Sequence, residues 1–96
     1  MSVELRLYVS ERSARSRHAI AVMERLRRPV AELGGSCEII DVTHQPDLAE
    51  EDRVLATPTL IRRSPPPPRR IVGDVSDVGL LLARLGLPDD LLEKTP

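Results

Sequence analysis

Few residues of this chain could carry out redox or covalent chemistry. Its 96 residues include one cysteine, Cys37, and two histidines, His18 and His44. Dithiol exchange of the thioredoxin type needs two cysteines separated by two residues at a helix N-terminus, where the helix dipole lowers the pKa of a thiol. A lone thiol cannot form an internal disulfide, so we expect Cys37 to be a small buried hydrophobe.

The hydroxyl, carboxylate and imidazole groups also lack the spacing of a catalytic or metal site. The two histidines have no neighbours at zinc-ligand spacing. Ser64 and Ser76 lie outside any Gly-x-Ser-x-Gly turn, and no glycine-rich phosphate loop is present. Asp74 and Asp77 suit a turn and a helix cap better than an acid–base pair. The sequence therefore predicts no catalytic residue, no metal and no cofactor, and a protein that acts by binding.

Composition limits the possible binding partners. Hydrophobic residues make up 41% of the chain and Tyr8 is the only aromatic one, so we expect one domain with an aliphatic core. Nucleotide and ring-stacking pockets normally use aromatic side chains, which are nearly absent. No segment approaches the ~20 apolar residues that cross a bilayer. We expect a cytoplasmic protein with no membrane partner, in a reducing compartment that suits its single cysteine.

Charge is unevenly distributed, although the net charge is only −1. Acidic residues concentrate between positions 47 and 52, and six arginines concentrate between positions 12 and 28: Arg12, Arg15, Arg17, Arg25, Arg27 and Arg28. Such a cluster could contact phosphates. The alternative is the solvated face of a helix. We favour the second interpretation and expect no nucleic-acid partner, because no nucleic-acid-binding motif accompanies the arginines.

The first half of the chain predicts a strand, a helix and a second strand. Residues 3–9 alternate in polarity, with Tyr8 on the polar side. Apolar residues then recur at helical spacing up to Leu33, and we expect a bend or break at Pro29 before Gly34 and Gly35 end the unit. Residues 37–42 form the second strand, which should be parallel to the first because a helix connects them.

The second half predicts a short helix, two strands and a last helix. The short helix covers residues 47–55, and the strands cover 59–62 and 69–72, separated by an extended polyproline-like run at 65–68. Gly73 and Asp74 turn the chain. A helix over residues 78–85 follows, capped by Ser76 or Asp77 and ended by Gly86 and Pro88. We place the domain at residues 1–88 and expect residues 89–96 to fray.

This order is that of a thioredoxin-like α/β fold, with a mixed sheet flanked by helices. A Thr57-Pro58-Thr59 step supports it, because that fold has a cis peptide bond before a central strand and proline makes the cis form accessible. The alternative is an ordinary turn proline. Pro58 is therefore a candidate cis-proline, and Gly73 and Asp74 are candidate structural residues.

At the level of motifs, the chain resembles the KaiB family of circadian clock proteins over roughly residues 5–87. The matching segments, quoted from this sequence, are LYV at 7–9, IDV at 40–42, LAEED at 48–52, LATPTL at 55–60, PPP at 65–67, RRI at 69–71 and GD at 73–74. The resemblance implies a non-enzyme that binds KaiC, a hexameric ATPase, with a KaiA-like protein or a clock histidine kinase as a further partner. It also implies that some members are metamorphic and rest as tetramers in a second fold.

By matching position, the resemblance implies a partner-binding surface. Its residues would be Tyr8, Arg53, Arg62, Arg69 and Arg70. A cationic edge of this kind would steer docking onto an acidic ATPase surface. The alternative, for Arg62 and its neighbour Arg63, is that they are ordinary solvent-facing strand residues.

Departures from the family pattern bear on the choice of fold. Glu11 replaces a glycine, Ala14 replaces a proline, and Arg84 replaces a glycine before the final leucines. Arginine forms helix better than glycine by ~0.8 kcal/mol, which favours a helix at residues 78–85. We therefore predict that the thioredoxin-like form is the resting state, as a monomer or weak homo-oligomer.

Two alternative functions remain open from the residues. One is a redox-inactive relic of a thioredoxin-like enzyme. The other is a sensor-type binding domain of the kind that sits on a larger kinase, which we expect less because no linker or coiled coil follows residue 85.

Overall fold

A four-stranded sheet with strand order β2-β1-β3-β4 forms the centre of the computed structural model. The structure describes residues 2–10, 13–73, 75 and 77–94. The strands are β1 (Glu4–Val9), β2 (Ser36–Asp41), β3 (Thr59–Ser64) and β4 (Arg69–Val72). The α-helices are α1 (Ala14–Glu32), α2 (Pro46–Glu51) and α3 (Val78–Leu85), and a 3-10 helix follows at Leu91–Lys94. Strands β1 and β2 are parallel, and the other two pairings are antiparallel, so the predicted order and mixed sheet are confirmed.

One face of the sheet packs against α1 and α3 and holds the larger core. Leu5 and Leu7 of β1 are fully buried there, together with Leu26 of α1 and Leu85 of α3. Alternate residues of β1 point to this side, as the period of a strand requires. The core is aliphatic, as the composition predicts.

Helix α1 runs through Pro29 without interruption, so, of the predicted bend or break, the break is wrong. Proline lacks an N–H, so the helix forms without the hydrogen bond that residue 29 would otherwise donate to the carbonyl oxygen of residue 25. Pro29 is also buried, so its ring contributes to packing. Ser13 caps the start of the helix, where its side chain accepts a hydrogen bond from the Ser16 amide, and the chain turns at Gly34 with φ +80°.

The opposite face of the sheet is also buried, beneath α2. Tyr8, Ile40, Ala49 and Ile61 form a second cluster there. Tyr8 is 0% exposed, so the expectation that its side of β1 faces solvent is wrong. A central strand of a sheet with a parallel pair is commonly covered on both faces, and polarity alternation alone does not reveal the second cover.

Helix α2 is shorter than predicted. It ends at Glu51 rather than continuing to residue 55, and it begins at Pro46, with Gln45 at the N-cap. Arg53 then adopts a positive φ of 54°, which cannot continue a right-handed helix. Residues 52–58 therefore form a loop, which we call the docking loop.

The proline run at 65–68 also differs from the prediction. It closes the hairpin between β3 and β4, with cis peptide bonds at Ser64-Pro65 and Pro66-Pro67. An extended polyproline segment is therefore the wrong description of this run. The third cis bond, between Thr57 and Pro58, matches the candidate cis-proline.

Helix α3 has the predicted bounds. The Asp77 carboxylate accepts a hydrogen bond from the Leu80 amide at 3.0 Å, and Gly86 ends the helix with φ +68°. Beyond it, Leu91 is only 2% exposed and joins the core, so the tail does not fray at this point. Among the described residues, no helix has both the length and the apolar character needed to cross a membrane.

Candidate protein-docking surface

The position that carries redox chemistry in thioredoxins holds no thiol here. Ser13 caps α1 after β1, whereas Cys37 lies opposite Leu5 in the sheet register. Leu5 and the end of β1 at Val9 are four residues apart, which is about 13 Å along a strand. Burial raises the pKa of the Cys37 thiol, against the opposing charge of Arg27. The thiol is therefore protonated at neutral pH and remote from the helix N-terminus.

Metal ligands are not assembled in the described part of the chain. Residues 2–10, 13–73, 75 and 77–94 contain no group of three His, Cys, Asp or Glu side chains that could hold an ion. A cluster of charged side chains lies instead beside β3 and β4.

Three arginines surround an open groove between the docking loop and β4. Arg53 comes from the loop, Arg63 from β3 and Arg70 from β4, and the groove has a volume of about 300 Å³. Glu51 and Asp52 also line it, and Ile61 and Pro68 complete the lining. We call this the arginine groove. Arg70 shares a sheet face with its cross-strand partner Ile61, which places the groove on the α2 side of the sheet.

Arg70 fixes the docking loop to the edge of the sheet. Its guanidinium donates to the main-chain oxygen of Asp52 at 2.7 Å and to that of Arg53 at 3.2 Å. The fork of a guanidinium matches two such acceptors, whereas an ammonium does not. Arg53 itself is exposed, and its side chain has no polar partner among the described residues. Arg63 lies 3.4 Å from a Glu4 carboxylate oxygen, so the groove combines two held cations, Arg63 and Arg70, with one free cation, Arg53.

At the start of the docking loop, the Asp52 side chain is the centre of a charged network. Its carboxylate accepts hydrogen bonds from the Tyr8 hydroxyl and from Arg6 at 3.1 Å, and Arg63 lies 3.9 Å away. Burial alone would raise the pKa of Asp52, but the two hydrogen bonds and the neighbouring cations outweigh it and hold the pKa below its ordinary value. Asp52 is therefore ionised at neutral pH and ties the loop to β1.

Tyr8 belongs to this network and not to the surface. Burial, and then the hydrogen bond to Asp52, raise the pKa of its hydroxyl, which also lies 3.1 Å from the Leu48 carbonyl oxygen. With 0% exposure, Tyr8 cannot contact a partner in this conformation. The prediction that it binds a partner directly is wrong for this fold, because α2 covers it.

Arg62 is likewise internal. Its residue is 6% exposed, and its guanidinium donates to the carbonyl oxygens of Leu85 at 2.8 Å and Pro67 at 2.9 Å. Neither predicted role, partner contact or ordinary solvent exposure, fits this position. Arg62 instead connects the end of α3 to the proline tip of the hairpin.

The remaining predicted residues are separated by the geometry of β4. Arg69 and Arg70 are neighbours in sequence, so they point to opposite faces of the strand. Arg69 is exposed and its guanidinium lies 3.4 Å from the carbonyl oxygen of Arg84 on the α3 side. Gly73 has φ +93° and its amide donates to the Pro58 oxygen, as a turn glycine does, whereas Asp74 lies outside the described residues.

Sequence reasoning missed Leu55. It is 98% exposed, in a loop next to Arg53. The prediction placed it in a helix, because its apolar type and its position resemble those of core leucines. No periodicity in the sequence distinguishes it from them. An open depression of about 280 Å³ lies beside it, where Ser10 and Val42 follow the ends of β1 and β2.

Comparison with known proteins gives the family. The sequence model named "KaiB domain" matches residues 6–87. The circadian clock protein KaiB3 of Synechocystis sp. is 42% identical over 97 residues, covering 98% of this chain and 93% of that protein. The circadian clock oscillator protein KaiB of Prochlorococcus marinus is 42% identical over 91 residues, covering 95% of this chain and 87% of that protein.

Two solved structures give the fold. Chloroplastic thioredoxin z superimposes with a TM-score of 0.69 at 14% identity, over 88% of this chain and 79% of that one. The N-terminal domain of Synechococcus elongatus SasA superimposes with a TM-score of 0.67 at 27% identity, over 100% of this chain and 89% of that one. The predicted thioredoxin-like fold is confirmed, and the chain belongs to the KaiB family.

Proposed function

We propose that this protein is a non-catalytic regulator in a clock or clock-like system, and that it acts by binding a KaiC-type hexameric ATPase. The observation that carries the proposal is the arginine groove, where an anchored Arg70 and an unpaired Arg53 face solvent together. Family membership supports a clock role. A KaiA-like protein or a histidine kinase would be a further partner of the same assembly, and we place the protein in the cytoplasm.

The chemistry of the groove suits a protein partner with carboxylates. Arginine binds carboxylates through two parallel hydrogen bonds, and Arg53 has all of its donors available to a partner. Glu51 at the rim would repel an acidic residue that approached from α2. The partner's carboxylates would therefore approach from the β4 side, over Arg70.

Binding is a better explanation of this fold than residual redox chemistry. The N-terminus of α1 presents Ser13, and the protonated Cys37 thiol lies at the other end of the sheet. A hydroxyl cannot form the mixed disulfide that thiol exchange requires. An insulin-reduction assay of the purified protein tests this directly, and we expect a rate equal to that of buffer.

Binding is tested with a purified KaiC-type hexamer in ATP and in ADP, by size-exclusion co-elution and biolayer interferometry. We expect co-elution of the wild-type chain. The double variant Arg53→Ala/Arg70→Ala should bind at least about tenfold more weakly, because the free cation is lost and Arg70 no longer holds the loop that carries it. Arg25→Ala is the matched control, since Arg25 is an exposed arginine on α1. Equal affinity of the double variant and Arg25→Ala would place the docking surface elsewhere.

A further inference from the structure

The docking loop presents one apolar side chain almost completely to water. Leu55 is 98% exposed, whereas the other exposed large hydrophobic residues in the described part of the chain keep about half of their surface covered: Leu33 at 43%, Leu80 at 48% and Val72 at 57% exposure. Folding of this chain buries almost none of the apolar surface of Leu55, so this side chain does not stabilise the fold. It would contribute favourable free energy only if another molecule buried it.

The backbone on the N-terminal side of Leu55 is held in place. The Val54 amide donates to the Ala49 oxygen at 2.9 Å, and the Arg53 amide donates to the Glu50 oxygen at 3.1 Å. Arg70 donates hydrogen bonds to the main-chain oxygens of Asp52 and Arg53, which belong to the same two peptide groups as these amides. Val54 also packs against the cluster under α2.

The C-terminal side of Leu55 is held as well. The Thr59 hydroxyl donates to the Ala56 oxygen at 2.7 Å, and Pro58 is buried. Leu55 is therefore a projecting side chain on a loop fixed at both ends. A pre-ordered backbone loses little conformational freedom on binding, which favours the use of Leu55 as an anchor.

We infer that Leu55 is the apolar anchor of the docking surface and inserts into an apolar recess of a protein partner, whose rim carries carboxylates. The inference rests on the proposed function and names the partner's surface chemistry. Charge complementarity identifies the rim: Arg53, two residues before Leu55, has no polar partner among the described residues, and Arg70 lies beneath the same loop. A projecting leucine needs a concave partner, which a small polar ligand does not offer.

The test compares apolar and polar changes at one exposed position. Leu55→Ala should weaken binding to the KaiC-type hexamer by about tenfold, since most of the buried apolar area is lost. Leu55→Met should stay within about threefold, because it preserves that area. Leu80→Ala is the matched control, and it should bind as the wild type does.

Salt dependence separates the anchor from its charged rim. Between 50 and 300 mM NaCl, we expect the wild type and Leu55→Ala to lose affinity in parallel, whereas Arg53→Ala should show a smaller loss. Circular dichroism should give the same spectrum for the wild type and the Leu55 variants, because the residue at position 55 is 98% exposed.

The outcomes are distinguishable. If the wild type fails to bind the hexamer in every nucleotide state, the proposed function and this inference both fall. If the wild type binds and Leu55→Ala binds equally well, the inference alone is overturned. It is also overturned if Leu55→Ala abolishes self-association measured by sedimentation while hexamer binding is unchanged, because the recess would then belong to a second copy of the chain.

Discussion

Arg70 and Asp52 join the edge of the sheet to the docking loop. The guanidinium of Arg70 donates to the Asp52 main-chain oxygen at 2.7 Å, while the Asp52 side chain accepts a hydrogen bond from Tyr8 in β1. Asp52 is therefore held by two strands, through its main-chain oxygen by Arg70 of β4 and through its carboxylate by Tyr8 of β1. The exposed Arg53 and Leu55 that follow it owe their positions to these contacts of Asp52.

Substitution of Arg70 should loosen the docking loop without unfolding the domain. Arg70→Ala removes two hydrogen bonds to carbonyl oxygens, each worth about 1 kcal/mol. We expect the Val54 amide to exchange with solvent about ten- to hundredfold faster, measured by NMR hydrogen exchange. Amides of α1 should keep their protection, as should all amides in the control Arg25→Ala. Unchanged exchange at Val54 would show that Arg70 does not position the loop.

Tyr8→Phe should destabilise the protein by about 1–2 kcal/mol in urea denaturation. The ring still fills the cluster under α2, but Asp52 loses a buried hydrogen-bond donor. Ser64→Ala, which removes a hydroxyl bonded to the Ser2 oxygen near the surface, is a control with an expected change below about 0.5 kcal/mol. Equal changes for the two variants would contradict the network.

The hydrogen-bonded pair of Asp52 and Tyr8 predicts how the free energy of unfolding depends on pH. The pKa of Asp52 is lowered by folding, so its contribution is present above the unfolded value of about 4 and is lost as pH falls through the folded pKa. The pKa of Tyr8 is raised by folding, so its contribution is complete below about pH 10 and is lost as pH rises through the folded pKa.

Urea denaturation from pH 2 to 11.5 checks this profile. We expect a plateau between about pH 5 and 9 and a fall on each side. In Tyr8→Phe the alkaline fall should become shallower, because the raised tyrosine pKa is removed. An identical alkaline limb in both proteins would exclude Tyr8 as its cause.

Arg62→Ala should be among the more damaging single substitutions, at about 2–4 kcal/mol. It leaves the Leu85 and Pro67 carbonyl oxygens without their buried donor and removes a packed aliphatic stem. Thermal and urea denaturation measure the loss, with the exposed Arg84→Ala as the control. A loss below about 0.5 kcal/mol would mean that Arg62 does not connect α3 to the hairpin.

Arg84→Gly should raise the population of any second fold in which the C-terminal segment is a strand. Glycine costs a helix roughly 1 kcal/mol relative to alanine, and Arg84 lies in the last turn of α3. Two-dimensional NMR should show one set of peaks for the wild type and for Arg84→Ala, with added minor peaks in Arg84→Gly. A wild-type spectrum dominated by a second fold would contradict the proposed resting state.

From the sequence, the positions of the helices and strands were predicted better than the burial of their side chains. Strand alternation and helical spacing located β1, α1 and α3, because both periodicities follow from local geometry. Alternation placed Tyr8 on the polar side of β1, and the family resemblance placed Arg62 on a partner-binding surface. Neither revealed their burial, which depends on α2 and on the proline tip, both of which approach from elsewhere in the chain.

The candidate site was predictable only in part. Arg53 and Arg70 were predicted as partner-binding residues from their family positions, but their meeting across the groove depends on the positive φ of Arg53 and on the end of α2 at Glu51. Leu55 was assigned to a helix because the predicted short helix extended to residue 55, whereas α2 ends at Glu51. Local propensity does not reveal where a short helix stops when tertiary hydrogen bonds decide it.

The most direct test of the proposed function is the affinity of the wild-type chain for a purified KaiC-type hexamer in ATP, beside Arg53→Ala/Arg70→Ala and Arg25→Ala. We predict that the wild type and Arg25→Ala co-elute stably with the hexamer and that the double variant does not. Absence of a wild-type complex in both ATP and ADP would contradict the proposal.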